Sequence, residues 1–397
     1  MGPVDETTAA PAGLPGRRLH VGLNAQLLST QPSYRAAGIN VYIQNLLRHL
    51  PQVDGNYRYT AFLSDRDFPP VPGLRTRLTR LPTPSPGMRI VWEQVWQPVV
   101  LFREGVDLLH ALAFVAPVAC PCPFVVTVYD LSFLRFPQAF RAWNRLYLNW
   151  FTRHSARRAR RVIAISESTR QDVVRLLGVS ADRVDAIPCG VGPEFRQFDP
   201  HEVDRFRRGK GLPERFFLFV GTLEPRKNLP AVFEAMRLLK RGGEPTKPCL
   251  VVVGGLGWGY QEALSKLEEL DLEGDVLLTG FVPSEELPWW YNAATALVYP
   301  SLYEGFGLPA LEAMACGLPV LTSDRGSLPE VVGEAGLLVD PEEPEGLAVA
   351  MDRLWREQDL RAHLSAQGLG RARRFSWDHT ARLTVQTYER ASGPRRN

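Results

Sequence analysis

The stretch TALVYPSLYEGFGLPALEAMACGLPVLTS, residues 295–323, contains two short apolar runs separated by a turn and a helical segment. The runs TALVYPS and PVLTS have strand length, and the helix is expected to begin at Gly307 or Leu308 and to end at Cys316. Pro309 fits the first helical turn, where its missing N–H breaks no hydrogen bond. A helix that links two neighbouring strands makes them parallel, so the stretch predicts an α/β fold.

The same alternation of apolar runs and amphipathic segments extends through the rest of the chain. It predicts two Rossmann-like domains, each with a doubly wound parallel sheet, that face each other across a cleft. Ligands of such sheets bind beyond the carboxyl ends of the strands, so the functional site is expected in that cleft. The other strand candidates are 19–25, 57–63, 106–113, 124–130, 161–166, 183–188, 216–221, 249–255, 275–281 and 336–340, and the helix candidates of the first half are 39–50, 88–103, 138–160 and 167–177.

Shifts in composition suggest the domain boundaries. Residues 1–17 read as a disordered tail, 18–195 as the first domain, and 196–214, rich in glycine, proline and charge, as a linker. The second domain is expected at 215–374. The last segment, 375–397, contains a helix with no strand after it, which is expected to cross back onto the first domain.

Size and charge exclude several classes of function. A chain of 397 residues with 45% hydrophobic residues can bury two cores, and a net charge of +3 gives no overall electrostatic attraction for nucleic acid. The five cysteines are scattered and odd in number, which indicates reduced thiols and a cytoplasmic protein. No apolar stretch approaches the ~18 residues of a spanning helix, so any membrane contact is expected to be peripheral.

Two carboxylates flank the turn in YEGFGLPALEAM. The start of the following helix favours an anion such as a phosphate, with Glu304 before it and Glu312 inside the helix. The carboxylates are expected about 10 Å apart, too far for the pair of a retaining glycosidase, which lies ~5 Å apart. This spacing suits a ligand with hydroxyl groups on both sides of a diphosphate, as in a nucleotide sugar. The alternative is two solvated surface acids.

Two further motifs lie at strand ends of the second domain. GTLEPRKN, 221–228, places Arg226 and Lys227 where they could neutralise phosphates, although helix capping and solubility would also explain them. LTGFVPSEEL, 278–287, offers the backbone near Val282 to the edge of a base.

These motifs, in this order, resemble glycosyltransferase family 4, retaining enzymes of the two-domain GT-B fold. The resemblance is carried most strongly by residues 299–341, with a glutamate, seven residues and a second glutamate, and is supported by 164–195, 222–228, 36–50 and 89–96. It implies that the second domain binds a nucleotide sugar and the first domain binds the acceptor. It covers nearly the whole chain.

The resemblance implies a role for each matching residue. Glu304 would hold the donor sugar and face the charge that develops at its anomeric carbon, and Glu312 would accept the ribose hydroxyls. The amides of Phe306, Gly307 and Leu308 and the cations Arg226 and Lys227 would bind the diphosphate, and the backbone of Val282 would contact the base. Gly38 would let the first domain come close to the phosphates and the acceptor. Gly221 and Thr222 would also contact the donor, and Thr222 stands where many relatives have an arginine. No metal would be required.

One first-domain position departs from the family. VTVYDLSF, 126–133, has Tyr129 where many relatives place a histidine that reaches the donor sugar. That role would pass to Tyr129, to Asp130, or to neither. His110, at the neighbouring strand end, would face the cleft or be a core residue with satisfied hydrogen bonds.

The function implied is a hexosyltransferase acting on a hydroxyl acceptor in polysaccharide, glycolipid or glycoside assembly, with GDP-mannose as the first expected donor and a UDP-hexose as the second. The basic segment 141–161 would position a lipid-linked acceptor at a membrane, or be a solvated helix. Asp65 and Asp67 match a D-x-D metal motif in a turn-like setting. A sugar-nucleotide epimerase of the same fold and a non-catalytic donor-binding subunit are the rival functions.

Overall fold

The structure is a computed structural model of the chain. It describes residues 18–30, 37–79, 86–139, 142–241 and 248–393. The predicted tail, 1–17, lies outside the described residues.

Within these residues, seven strands form the first sheet, all parallel, in the order β3-β2-β1-β4-β5-β6-β7. The central strands are apolar and buried, and each of the six predicted strands is present. The sequence did not reveal β3, LRTRL, because an exposed edge strand carries a polar sequence. The bounds are β1 Leu19–Asn24, β2 Tyr57–Leu63, β3 Leu74–Leu78, β4 Leu108–Ala111, β5 Phe124–Val128, β6 Arg161–Ala164 and β7 Val184–Ala186.

Two of the predicted helices of this half are interrupted by one-turn π-helices, Trp92–Trp96 and Val173–Leu177. The second ends at Gly178, whose φ of 68° stops the helix. The α-helices are α1 Ala37–Val53, α2 Pro86–Val91, α3 Gln97–Glu104, α4 Ser132–Arg135, α5 Ala142–Arg158 and α6 Glu167–Asp172.

The second sheet, as far as the chain is described, has six parallel strands in the order β10-β9-β8-β11-β12-β13. This confirms the predicted fold class of two doubly wound parallel sheets. The strands are β8 Phe217–Val220, β9 Leu250–Val253, β10 Val276–Gly280, β11 Ala296–Tyr299, β12 Val320–Ser323 and β13 Leu337–Val339. The helices are α7 Pro200–Gly209, α8 Leu229–Arg241, α9 Tyr260–Glu269, α10 Leu287–Ala293, α11 Leu308–Ala315, α12 Leu328–Val332, α13 Pro344–Arg356, α14 Gln358–Ala372 and α15 Trp377–Ser392.

Helix α15 packs against the first sheet rather than the second. Its Tyr388 contacts the ring of Tyr57, and Trp377 at its start contacts Tyr42 of α1. The stretch expected to be a linker, 196–214, contains helix α7, which packs against α10. Over the part of the chain that the structure describes, no helix has the length and apolar character needed to cross a membrane.

Candidate functional site

The turn after β11 carries the predicted motif and is held from below by one hydroxyl group. Gly307, with φ at 104°, caps the start of α11, as the sequence predicted for this helix. The Ser327 hydroxyl contacts the carbonyl oxygens of Glu304 at 3.0 Å and Phe306 at 2.8 Å. These hydrogen bonds fix the conformation of the turn. The first amides of α11, like those of any helix, have no hydrogen-bond acceptor within the helix and can donate to a ligand.

Glu304 lies at the centre of a buried cluster of charged and phenolic groups. Its Oε1 is 2.6 Å from Lys227 Nζ and accepts a hydrogen bond from the Tyr299 hydroxyl at 2.8 Å. Its Oε2 is 3.2 Å from Arg226 Nη1. Arg226 is also paired with Glu224 at 2.9 Å. Only 7% of Glu304 is exposed, so this carboxylate depends on its partners for its stability.

The pKa values in this cluster follow from burial and charge. Burial alone would raise the pKa of Glu304, but Lys227 and Arg226 outweigh it and lower that pKa to about 2. Burial lowers the pKa of Lys227, which Glu304 partly offsets. Although burial opposes it, the pKa of Arg226 is raised by Glu304 and Glu224. The Glu304 carboxylate is therefore ionised at neutral pH and lies between two basic side chains.

Glu312 has a different environment from Glu304. Tyr291 on α10 donates a hydrogen bond to its Oε2 at 2.8 Å, and only 8% of the residue is exposed. Burial raises its pKa to about 7, the hydrogen bond from Tyr291 opposes that rise, and Glu194 adds to it. Both glutamates are thus buried, which contradicts the alternative of two solvated surface acids.

The two sheets meet at Gly305. A Cβ atom placed on Gly305 would lie 2.2 Å from the carbonyl oxygen of Tyr129, so the two backbones are in direct contact. The Thr169 hydroxyl contacts both that oxygen, at 3.1 Å, and the carbonyl oxygen of Gly305, at 3.2 Å. This contact places the turn after β11 against the carboxyl end of β5.

Hydrogen bonds lie on both sides of the contact between Gly305 and Tyr129. The Tyr303 hydroxyl accepts a hydrogen bond from the amide of Leu131 at 3.0 Å and lies 3.0 Å from Asp172 Oδ2. Glu330 of α12 accepts hydrogen bonds from the amides of Glu167 and Ser168, at 2.8 and 2.9 Å. These amides begin helix α6, so the carboxylate also complements the helix dipole. We call the contacts of Gly305, Thr169, Tyr303 and Glu330 the seam.

His110 does not face the cleft. It is fully buried, Nδ1 lies 2.7 Å from the Tyr388 hydroxyl and Nε2 lies 2.8 Å from the Thr127 hydroxyl. Burial lowers the pKa of His110 to about 3. The prediction that it could reach a ligand is wrong, because α15 covers this strand end and supplies its hydrogen-bond partner.

Tyr129 and Asp130 point in different directions. The Tyr129 hydroxyl donates to the carbonyl of Leu112 at 2.7 Å, and its ring packs edge-on against Tyr42. Its side chain therefore belongs to the first core, and only its carbonyl reaches the seam, which contradicts the suggestion that the phenol replaces a histidine. Asp130 is half-buried, lies beside Gly305, and raises the pKa of Arg226. Of Tyr129, Asp130 and His110, Asp130 is the one whose side chain lies beside Gly305.

The structure brings several other predicted residues to the same place. Gly38, at the start of α1, faces Leu308, whose Cδ1 would lie 3.8 Å from a Cβ on Gly38. Gly221 follows β8 with φ at 156° and lies beside the Lys227 side chain. Thr222 follows it and is half-buried. Val282, after β10, is 9% exposed.

Sequence reasoning missed the tyrosines of the site. Tyr299 donates a hydrogen bond to Glu304, and Tyr291 donates one to Glu312. Tyr303 accepts a hydrogen bond from the amide of Leu131 at the seam. Each lies in or beside an apolar run, where an aromatic residue predicts core packing. A buried tyrosine needs a partner for its hydroxyl, and this is the signal that could have indicated a nearby carboxylate.

Asp65 of the D-x-D motif binds backbone amides in its own loop and in the loop after β1. Asp65 accepts hydrogen bonds from the amides of Thr30 and Asp67, the latter at 2.9 Å. Among the residues that the structure describes, no group of three or more His, Cys, Asp or Glu side chains is arranged to hold a metal ion.

Two family models match the chain. Residues 36–195 match Glycosyltransferase Family 4, and residues 201–371 match Glycosyl transferases group 1. O-antigen chain mannosyltransferase B of Escherichia coli is 33% identical over 266 residues, which are 67% of this chain and 70% of that protein.

Solved structures share the fold. Sucrose-phosphate synthase from Thermosynechococcus elongatus superposes with a TM-score of 0.75 at 24% identity, over 94% of this chain and 98% of that one. Anabaena HepE in complex with UDP-glucose gives 0.72 at 19% identity, over 94% and 99%. From the two family matches, the mannosyltransferase relative and the two parallel sheets, we conclude that the chain belongs to the group 1 and family 4 glycosyltransferases, with the GT-B fold.

Proposed function

We propose that the protein is a retaining hexosyltransferase that moves a sugar, mannose in the first instance, from a nucleoside diphosphate sugar to a hydroxyl acceptor. The observation that carries this proposal is the buried cluster of Glu304 with Lys227 and Arg226 beside the start of α11. A carboxylate next to two basic side chains suits a bond between a sugar and a phosphate. The carboxylate binds the sugar, and the cations stabilise the negative charge of the leaving diphosphate.

Each part of the donor then has a place in the proposal. The amides at the start of α11 and in the turn before it, those of Phe306, Gly307 and Leu308, receive the phosphates together with the cations. Glu312, four residues further along the same helix, accepts the ribose hydroxyls. The acceptor approaches from the first domain, on the side of Asp130 and Gly38, and the departing phosphate is the base for the acceptor hydroxyl. Attack from the face that the phosphate leaves retains the anomeric configuration.

The names of the relatives support the choice of donor. The Escherichia coli relative is a mannosyltransferase of O-antigen chains, which favours GDP-mannose and an acceptor in polysaccharide assembly. HepE was solved with UDP-glucose, which keeps a UDP-hexose as the second donor. We propose no metal requirement, because Arg226 and Lys227 supply two positive charges where a divalent ion would otherwise act.

The experiment is a transfer assay with GDP-mannose and UDP-glucose, each with and without a panel of octyl glycosides. A glycosylated product with unchanged anomeric configuration, formed equally well in EDTA, is the expected result. Isomerised donor without any product would identify an epimerase instead. Donor binding without turnover would identify a binding subunit, and activity that EDTA abolishes and Mg²⁺ restores would contradict the metal-free proposal.

The pKa of Glu312 predicts how donor affinity depends on pH. Ribose hydroxyls donate to an ionised carboxylate, and the pKa of free Glu312 is about 7, so protonation competes with binding below that pH. The dissociation constant of GDP or UDP is expected to rise by up to about tenfold per pH unit below 7 and to level off above it. Titration calorimetry from pH 5.5 to 8.5 measures this. Glu312→Gln should bind more weakly with a flat pH profile; a slope as steep as that of the wild type would assign the effect to another group.

We also propose peripheral contact with the inner face of a membrane through α5. Its Leu146 and Trp150, four residues apart, are 60% and 53% exposed, and Arg145, Arg157 and Arg158 are exposed on the same helix. Cationic side chains beside exposed apolar ones suit an anionic lipid surface. Sedimentation with phosphatidylglycerol vesicles should bring down the protein but not Leu146→Ser/Trp150→Ser, and equal sedimentation of both would reject the contact.

A further inference from the structure

A second buried carboxylate lies in the first domain, away from the Glu304 cluster. Glu93 is 6% exposed and sits in the π-helical turn Trp92–Trp96, and Gln97 follows at the first position of α3. Both side chains approach Asn24, the last residue of β1. Residues four apart on a helix share a face, so this turn directs a carboxylate and an amide to one strand end. We call Asn24, Glu93 and Gln97 the β1 cluster.

The hydrogen bonds within the β1 cluster are long. Asn24 Nδ2 is 3.4 Å from Glu93 Oε1 and 3.5 Å from Gln97 Oε1, so one amide is shared between two distant acceptors. The Tyr147 hydroxyl of α5 is 3.5 Å from Glu93 Oε2. Good N–H···O bonds are about 2.9 Å long, and a buried carboxylate without such bonds is costly. Among the residues that the structure describes, the Glu93 carboxylate therefore has only long hydrogen bonds.

The Gln97 side chain gives independent evidence. It is completely buried, and its Nε2 has no hydrogen-bond partner among the residues that the structure describes. Buried amide groups are nearly always paired, so an unpaired one next to a poorly satisfied carboxylate indicates a ligand group. Burial raises the pKa of Glu93 to about 7 against the opposing effects of Arg89, Asn24 and Tyr147, which agrees with weak solvation. π-Helical turns also recur at functional sites.

The position of the β1 cluster connects it to the proposed reaction. Asn24 pairs with Ala111 at the end of β4, and β4 is followed in the sheet by β5, whose end meets Gly305 at the seam. Two strand spacings amount to about 10 Å. At this distance the β1 cluster is too far away to contact the hydroxyl that attacks the donor. The cluster does lie along the same edge of the sheet. A second sugar unit of the acceptor would reach it.

We propose that Asn24, Glu93 and Gln97 form an acceptor subsite that binds a hydroxyl group of a sugar unit next to the one that is glycosylated. A hydroxyl can donate to the Glu93 carboxylate and accept from Gln97 Nε2, which satisfies both groups at once. An anionic group is disfavoured by the carboxylate. The inference rests on the proposed transferase function and adds to it the class of acceptor, a neutral oligosaccharide or glycoside.

The test separates acceptor binding from donor chemistry. The variants are Gln97→Met and Glu93→Gln, and the matched control is Gln94→Met, which removes an amide from the same turn but one that bonds to the backbone of Ala116 and Val118. The acceptor probes are octyl glycosides of mannose and of its α-linked disaccharide. The readouts are the KM of each acceptor, the dissociation constant of GDP or UDP, and slow donor hydrolysis without acceptor.

Both β1-cluster variants should raise the KM of the disaccharide acceptor at least tenfold and leave nucleotide binding and donor hydrolysis unchanged. The effect on the monosaccharide acceptor should be smaller, and Gln94→Met should match the wild type. A disaccharide KM unchanged in both variants, or donor hydrolysis without transfer to any octyl glycoside, would overturn the subsite. Absence of donor binding and hydrolysis in the wild type would instead overturn the proposed function. Equal KM increases for both acceptors would show a structural role only.

Discussion

Glu304→Gln is expected to lower kcat by about a thousandfold while the protein stays folded. Glutamine has the same shape, so its oxygen can still accept hydrogen bonds from Lys227 and Tyr299, which lie 2.6 and 2.8 Å from the carboxylate. What it lacks is the negative charge that would face the anomeric carbon as positive charge develops there. A preorganised charge at such a position contributes about 10²–10³ in rate. Steady-state kinetics with thermal unfolding of the same preparation measure both quantities.

Alanine at this position should act differently. Glu304→Ala leaves the buried Lys227 without its anion, and breaking a buried ion pair from one side costs about 3–5 kcal/mol. Both variants lose the charge that pairs with Lys227, but glutamine can still accept hydrogen bonds, so both should lose activity and the alanine variant should be the less stable of the two. The control is Glu334→Gln, an exposed glutamate of the same domain, which should behave as the wild type. Activity of Glu304→Gln within tenfold of the wild type would contradict the proposed role.

The pKa of Glu304 adds a check on the native pairing. Because its pKa is lowered from 4.5 to about 2, the ionised group stabilises the folded protein above pH 4.5, and that contribution is lost as pH falls toward 2. Acid unfolding of Glu304→Gln should lack this component. The comparison concerns the pairing of Glu304 with Lys227 and Arg226 and needs no substrate.

The fold could be predicted from the sequence because its signals are local. A buried strand is a run of apolar residues. The start of α11 is indicated by Gly307 and Pro309, because a glycine followed by a proline in this spacing is typical of the first turn of a helix. Strand β3 escaped detection since Arg75 and Arg77 sit on an exposed edge. Its pairing with β2 depends on backbone hydrogen bonds, which do not require a particular side chain and so cannot be recognised in the sequence.

The candidate site could be predicted only in part, because its contacts join distant segments. Glu304 and Lys227 are 77 residues apart, and the motifs containing them indicated phosphate and sugar but not their direct pairing. For His110 and Tyr129 the sequence left the direction of the side chain open, for a related reason. Their partners, Tyr388 and Leu112, are supplied by another helix and another loop, and strand-end position alone does not tell which way a side chain points.

Gly305→Ala is expected to reduce kcat about a hundredfold with little change in nucleotide affinity. Its Cβ would lie 2.2 Å from the carbonyl oxygen of Tyr129 and 3.1 Å from Asp130 Cβ. Backbone cannot rotate away as a side chain can, so the two sheets must separate at the seam. A displacement of about 1 Å between reacting groups can cost about 10² in rate. The proposed nucleotide contacts lie in the second domain and are not displaced.

The matched control is Gly274→Ala, in the same domain, where a Cβ atom meets nothing within 4 Å. It should retain wild-type kcat. Thr169→Val tests the same seam with a smaller change, because it removes the hydroxyl that contacts the carbonyls of Tyr129 and Gly305 but adds little bulk. Its kcat should fall less than that of Gly305→Ala, and combining the two should give less than the product of their effects, since both loosen one contact. Wild-type kcat in Gly305→Ala would mean that catalysis takes place with the sheets apart, whereas a matching loss of nucleotide affinity would mean that the alanine distorts the turn itself.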